Sequence, residues 1–243
     1  MADPRISGEK GRSVFQEVFG EMPLPENLSV HTMNYEDYWK NRKQKQIVTG
    51  PAKRRARGIL RFVDTGDSVL DIGCGTGETL QVLNEERQID GTGLDISETA
   101  LSVVEKKGFK VLNKDLTSPG IRLDGMWDHI VMFEVAEHVV NTEVMLANLK
   151  GHYRKGLYIS TPNLGYLAHR LRMLFGRFPV TYISDPREHL RYWSVKDFCY
   201  WSQKLGYSKP EVLGLRGKPG IFKLPARWPS LFASEVVYRF SPE

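Results

Sequence analysis

One run in the 243-residue chain has residue types and spacing suited to holding a ligand: Val69-Leu-Asp-Ile-Gly-Cys-Gly-Thr-Gly77. Glycines between an apolar run and a helix start let backbone approach a ligand, and amides at a helix start favour polar or anionic groups. A dinucleotide-binding turn would read G-x-G-x-x-G/A. Here the register is Gly73-x-Gly75-x-Gly77 followed by Glu78, and a large acidic side chain is a poor neighbour for a pyrophosphate. The spacing points to a nucleoside ligand without one. Asp95 lies 22 residues beyond Gly73, at the end of a second apolar run, where a carboxylate can accept both ribose hydroxyls.

A second cluster, Glu134-Val-Ala-Glu137-His138, spaces two carboxylates and an imidazole at i, i+3 and i+4, positions that share one helix face. Mixed oxygen and nitrogen ligands suit a divalent cation. Alternatively, His138 is a general base toward a hydroxyl, oriented by Glu134 or Glu137. A third reading is local helix capping, and the spacing leaves all three open.

These residues sit in an alternation of apolar runs and helical stretches. Strands are predicted at 67–73, 91–97, 110–115, 126–134 and 156–162, with helices at 77–86, 98–107 and 136–150. Such alternation builds βαβ units around a parallel sheet, and the near-continuous apolar runs VLDI and HIVMF read as strands buried on both faces. After Pro162 the alternation breaks. Residues 163–193 form a basic, aromatic insertion with a helix from Gly165 to Phe175, long enough to read as a functional cap. Ser194 caps a further helix that Gly206 ends, and strands follow at 211–217 and 234–240. Residues 1–50 read as a helical extension or lid with an amphipathic piece at 13–22, and residues 51–243 as the main domain. The helical stretch 34–63 is split at Gly50-Pro51.

VLDIGCGTG, Gly93-Leu-Asp-Ile-Ser97 and Asn113-Lys-Asp-Leu116 together resemble the first three motifs of class I S-adenosylmethionine-dependent methyltransferases. The resemblance implies an α/β fold with a seven-stranded, mostly parallel, doubly wound sheet of order 3-2-1-4-5-7-6, its seventh strand antiparallel. It implies S-adenosylmethionine as cofactor. Asp71, Gly73, Gly75 and Gly77 would surround the methionine end and sulfonium, Asp95 the ribose and Ile96 the adenine. Asp115, with Leu116 in the same motif, would face the adenine amino group, and Phe133 and Glu134 would lie beside the methyl.

Methyl transfer from a sulfonium is a direct displacement, so alignment of nucleophile, methyl and sulfur is the main task. The chain lacks the N/D-P-P-Y/F turn of amino-methylating enzymes and the Pro-Cys turn of cytosine C5 enzymes. Its E-x-x-E-H is similar to that of polyprenyl-dihydroxybenzoate O-methyltransferases of the ubiquinone pathway. It is also similar to that of small-RNA 2′-O-methyltransferases, in which a downstream histidine completes a magnesium or manganese site. His189 stands at a comparable place, so that likeness implies Glu134, Glu137, His138 and His189 as a Mg2+ or Mn2+ set. Glu134, Glu137 and His138 are the candidate catalytic groups. The segments Ser160-Thr-Pro-Asn163-Leu-Gly-Tyr166 and Arg170 to Thr181 are similar to MetW proteins, methyltransferase-like partners of an acyltransferase. That likeness covers roughly 160–200. MetW proteins lack E-x-x-E-H, so the segment reads as a shared cap architecture rather than a shared function.

With 41% hydrophobic and 26% charged residues, composition excludes an intrinsically disordered chain. No apolar run approaches the ~20 residues of a membrane span. The start is polar, and two cysteines, Cys74 and Cys199, make neither a disulfide framework nor a four-thiolate zinc site. A reduced, cytoplasmic protein is expected. The net charge is +5, yet residues 41–63 hold eight basic residues and no acid: Arg42, Lys43, Lys45, Lys53, Arg54, Arg55, Arg57 and Arg61. Such a stretch attracts nucleic acid, a phosphorylated metabolite or a lipid surface, or is a solvated helix face. Tyr35, Tyr38 and Trp39 read as a lid, a stacking platform or core. Thr161 and Asn163 read as acceptor contacts or turn formers. His169–Arg177 reads as a cap helix with Leu171, Leu174 and Phe175 inward, or a membrane-facing segment. Trp193, Phe198 and Trp201 read as core. The expected reaction is O-methylation of a hydroxyl on a small or lipid-linked molecule. The alternatives are RNA 2′-O-methylation and a non-catalytic MetW-like partner role.

Overall fold

The computed structural model describes residues 34–41, 49–118, 120–179, 189–217 and 223–242. The amphipathic piece at 13–22 and the basic residues Arg42, Lys43 and Lys45 lie outside them. Seven strands form one sheet: β1 Ser68–Ile72, β2 Asp90–Asp95, β3 Lys110–Asn113, β4 Trp127–Phe133, β5 Tyr153–Pro162, β6 Glu211–Arg216 and β7 Glu235–Phe240. Their spatial order is β3-β2-β1-β4-β5-β7-β6, with β7 antiparallel to both neighbours, as the resemblance implied.

Side-chain alternation along these strands makes two cores. Leu70, Ile72, Ile130, Met132, Leu157 and Ile159 face one side, where α5 (Thr142–Leu149) supplies Leu146 and α7 (Val195–Lys204) supplies Phe198. Val69, Val131, Phe133 and Tyr158 face the other, against α2 (Gly50–Ile59), α3 (Glu78–Arg87) and α4 (Glu98–Lys106). Ahead of α2 stands α1 (Tyr35–Asn41). Gly50-Pro51 opens α2 rather than closing a helix: Thr49 is its N-cap and Pro51 sits in its first turn. Ser194 caps α7 by accepting from the Asp197 amide. Trp193 and Phe198 are buried, with Trp201 packed against them.

Two expectations are corrected. Residues 136–150 are not one helix. A 3-10 turn at Ala136–His138 is followed by an extended Val139, and α5 starts only at Thr142. The Glu137 carbonyl accepts from the Leu190 and Arg191 amides of the cap, so it is not used in a continuous helical ladder. Second, α6 (Leu167–Leu174) buries Ala168 and Arg172 and packs Leu171, while Leu174 is 77% and Phe175 61% exposed. The inward stripe is 168, 171 and 172, and the helix ends before it comes round again. Between β6 and β7, where the sequence predicts no element, lie two four-residue helices, α8 (Leu224–Arg227) and α9 (Pro229–Phe232). Each is a single turn, too short to produce a periodic signal.

Asn163 ties these parts together. Its fully buried amide donates to the Ala233, Pro229 and Ser230 carbonyls and its Oδ1 accepts from the Gly165 amide. Its side chain therefore forms turns rather than facing an acceptor. Asn163→Ala should cost about 3 kcal/mol in urea unfolding, because buried backbone groups lose their partners. A loss below about 1 kcal/mol would show that water replaces the amide.

Candidate active site

The glycine run leaves β1 at the C-terminal edge of the sheet. Gly73 and Cys74 both donate their amides to the Leu94 carbonyl, at 2.8 and 3.1 Å, so the turn is stitched to β2. Gly73, Gly75 and Gly77 have φ of 65°, 51° and 75°, the left-handed region that penalises side chains. A Cβ at Gly73 would lie 2.5 Å from Val135 Cγ2, and one at Gly75 2.6 Å from the Trp39 ring. Asp95 Oδ2 accepts from the Gly75 amide at 2.9 Å and Oδ1 from the Ser97 amide at 3.0 Å. A carboxylate offers about four acceptor positions, so two remain for hydroxyl donors. Burial, only partly offset by these amides, raises the proton affinity of Asp95. Burial and then the nearby Asp95 raise that of Asp71 strongly, against the opposing charge of Arg55. A buried acid pair of this kind suits a cationic ligand. Ile96, beside Asp95, is 51% exposed.

Asp115 takes part in its own turn. Oδ1 accepts from the Thr117 amide and hydroxyl and Oδ2 from the Ser118 hydroxyl. Against partial burial, these bonds hold its carboxyl below the usual range. Leu116 is buried in the first core, and its carbonyl accepts from Asn148.

At the end of β4, Phe133 is buried and Glu134 has φ of 55°. A non-glycine residue in that region is held there by its surroundings. Here the holder is the fully buried Ser160. Its hydroxyl accepts from the Glu134 amide at 3.0 Å and donates to Glu134 Oε1 at 2.7 Å. Glu137 is 1% exposed, and neither of its carboxyl oxygens has a hydrogen-bond partner of good geometry. Burial, then Glu134, pushes its proton affinity well above that of an ordinary glutamate, with Arg55 opposing. His138 Nε2 is 3.9 Å from Glu137 Oε1, and the His189 ring stands edge-on to His138 at 4.8 Å.

His138, Glu137 and His189 thus come together, but not as ligands on one helix face. Glu134 is a strand-end residue and the other two occupy a 3-10 turn. Among the described residues no group of three or more His, Cys, Asp or Glu side chains is arranged to hold a metal ion. The donor set therefore does not fit a magnesium or manganese site.

Arg55 is the residue that motif reading missed. Its Nη1 pairs with Glu235 Oε1 at 3.0 Å. Against the cost of burial, Glu134, Glu235 and Glu137 hold its guanidinium firmly charged. A signal existed: Ala52, Ala56 and Ile59 form the buried stripe of α2, and Arg55 lies on that stripe. Three further arginines of the stretch are also paired. Arg54 pairs with Glu235, Arg57 with Glu86 and Arg61 with Glu211. Arg54 and Arg55 are drawn in toward Glu235, whereas Arg57 and Arg61 form exposed ion pairs on the surface.

The MetW methionine biosynthesis family model matches residues 54–240, far beyond the segment 160–200 that carried the resemblance. The bifunctional methionine biosynthesis protein MetXA/MetW of Rhodopirellula baltica is 26% identical over 118 residues, 44% of this chain and 19% of that protein. The ubiquinone biosynthesis O-methyltransferase of Rickettsia felis is 29% identical over 121 residues, 47% of this chain and 49% of that enzyme. The chain thus spans half or less of the curated relatives it matches. A chain from the complex of the Haloferax volcanii Trm112 methyltransferase activator superposes with a TM-score of 0.62 at 15% identity, covering 88% of this chain and all of that one. A SAM-dependent methyltransferase from Archaeoglobus fulgidus superposes with a TM-score of 0.56 at 17% identity, covering 85% and 97%. The sheet is that of the Rossmann-like methyltransferase fold, no described helix is long and apolar enough to cross a membrane, and the chain belongs to the MetW family.

Proposed function

We propose that this protein is an S-adenosylmethionine-dependent methyltransferase that methylates a hydroxyl of a small or lipid-linked molecule. One observation carries the cofactor reading: the Asp95 carboxylate bridges the glycine turn and the β2 loop while keeping acceptor positions for two hydroxyls. Asp71 and the backbone of Gly73, Gly75 and Gly77 would hold the cationic methionine end. Ile96 offers apolar surface to the base, with Asp115 and Leu116 further along the same edge. The cofactor, when bound, supplies an electrophilic methyl group. The protein aligns the acceptor oxygen with it and removes the hydroxyl proton. His138 is the proton acceptor in this reading, Glu137 lies against its Nε2, and Glu134 is fixed beside Phe133 by Ser160. No step is assigned to a metal. The Rickettsia felis O-methyltransferase among the relatives favours a hydroxyl acceptor. Nucleic acid loses its main support, because the described arginines of the basic stretch are ion-paired.

A second reading has its own support. The family match, and a relative that carries MetXA and MetW in one chain, favour a partner protein that binds the cofactor site's ligand without transferring a methyl. Calorimetric titration of chelator-treated protein with S-adenosylhomocysteine tests the cofactor first. Micromolar binding lost in Asp95→Ala is expected, and absence of heat in the wild type would refute the cofactor reading. His138→Ala should keep that binding and lower methyl transfer by about a hundredfold or more, the usual scale of a lost general base. Unchanged turnover would remove His138 from the chemistry, and no turnover by the wild type on any hydroxyl acceptor would favour the partner reading.

The raised proton affinity of Glu137 has a pH signature. The folded state holds a proton that the unfolded chain releases near 4.5, so this group's contribution to stability falls as pH rises above that value. Glu137→Gln should gain stability relative to wild type as pH increases from 4.5 to 8. Parallel stability curves would show that Glu137 is already ionised in the fold.

A further inference from the structure

Helix α1 is fastened to the cofactor loops by two residues outside every motif. Glu36 accepts the Ser97 hydroxyl at 2.5 Å, the Thr99 amide at 3.4 Å and the Thr99 hydroxyl. Trp39 lays its indole against Gly75, close enough that a Cβ there would clash with the ring. Both anchors fall on backbone that Asp95 already joins, since its carboxylate takes the amides of Gly75 and Ser97. The glycine turn, Asp95 and the Ser97 turn are thus one hydrogen-bonded unit, with α1 fixed to its outer side at both ends.

We propose that α1 is the closing wall of the cofactor site, with Glu36 as its latch and Trp39 as the plate over the glycine turn, and that cofactor exchange requires this latch to open. The inference rests on the cofactor reading above. The latch is electrostatically steady. Hydrogen bonds from Ser97 and Thr99 lower the Glu36 carboxyl to about 2, and Lys40, one turn on, adds to this from 3.6 Å. The like charge of Asp95 faces it. Glu36 therefore stays ionised throughout the neutral range, so the latch does not respond to pH there. The acceptor oxygens also explain the residue type: Ser97 is the N-cap of α4 and accepts from the Ala100 amide, leaving its hydroxyl proton to be donated outward.

The test uses the full chain loaded with radiolabelled S-adenosylmethionine and chased with unlabelled S-adenosylhomocysteine. Glu36→Ala and Trp39→Leu should each speed release of label at least tenfold, and Glu36→Gln, which keeps an acceptor oxygen, should fall between Glu36→Ala and wild type. Thermal midpoints of the cofactor-free variants separate a wall from a strap. Unchanged release rates in both variants, with or without a lowered midpoint, would overturn the proposal and leave α1 a structural strap. If calorimetry shows no binding of S-adenosylhomocysteine to wild type, the cofactor reading itself fails and this inference with it.

Discussion

Everything at the candidate site depends on how a parallel sheet ends. Each strand of β1, β2 and β4 arrives at the same edge with its last backbone groups needing partners, and each is finished by a different turn. The Asp95 carboxylate is the shared fastening. It takes one amide from the turn after β1 and one from the turn after β2, so two loops that are distant in sequence move as one. Burying a carboxylate is costly unless it is hydrogen-bonded. These two amides offset part of that cost but not all, since its proton affinity stays raised. A group that fastens two loops and still has spare acceptor capacity fits the ligand role proposed for it as well as its role in the fold.

The same logic extends along the edge. Gly73 must lack a side chain because Val135, following β4, occupies the space a Cβ would take. Val135 is there because Glu134 turns the chain through a left-handed conformation that Ser160 of β5 holds. Four strands therefore fix the path of two short turns. Arg55 supplies a largely buried positive charge behind them. It is anchored to β7 through Glu235 and lies within electrostatic reach of Asp71, Glu134 and Glu137.

Much of this was legible in the residues. The alternation of Val69, Leu70 and Ile72 between two cores, and of Ile130, Val131, Met132 and Phe133 likewise, is visible as continuous apolar strands. The glycine turn and the Asp95 spacing showed as local patterns because the turn's geometry is local. What failed was whatever depends on distant chain. Glu134, Glu137 and His138 have helical spacing, yet the Glu137 carbonyl is claimed by the amides of Leu190 and Arg191, more than fifty residues away. No window around 134–138 contains that information. The basic stretch reads as an anion-attracting patch or a solvated helix face, and the pairing of its arginines with Glu86, Glu211 and Glu235 is not legible because it exists only after the sheet has formed. Asn163 reads as an acceptor contact or a turn former, and only the distant carbonyls of Pro229, Ser230 and Ala233 decide for the turn.

Family membership and site chemistry pull on this chain in different directions. A protein that serves only as a partner needs a stable surface, and for stability alone a buried Glu137 with no well-placed partner is a poor choice. An apolar residue of similar size would avoid the desolvation that raises its proton affinity. The cost is increased by setting it against Glu134, whose carboxylate destabilises a second charge nearby. Arg55 only partly relieves this, since Glu235 already holds its Nη1. Unsatisfied buried polar groups in a native fold call for a reason beyond packing. Here the reason lies at hand: the acid sits within 3.9 Å of an imidazole, at the sheet edge that also holds the glycine turn. In the proposed reading, a buried acid of raised proton affinity beside a histidine can hold a proton near a hydroxyl acceptor, a task that a docking surface does not set.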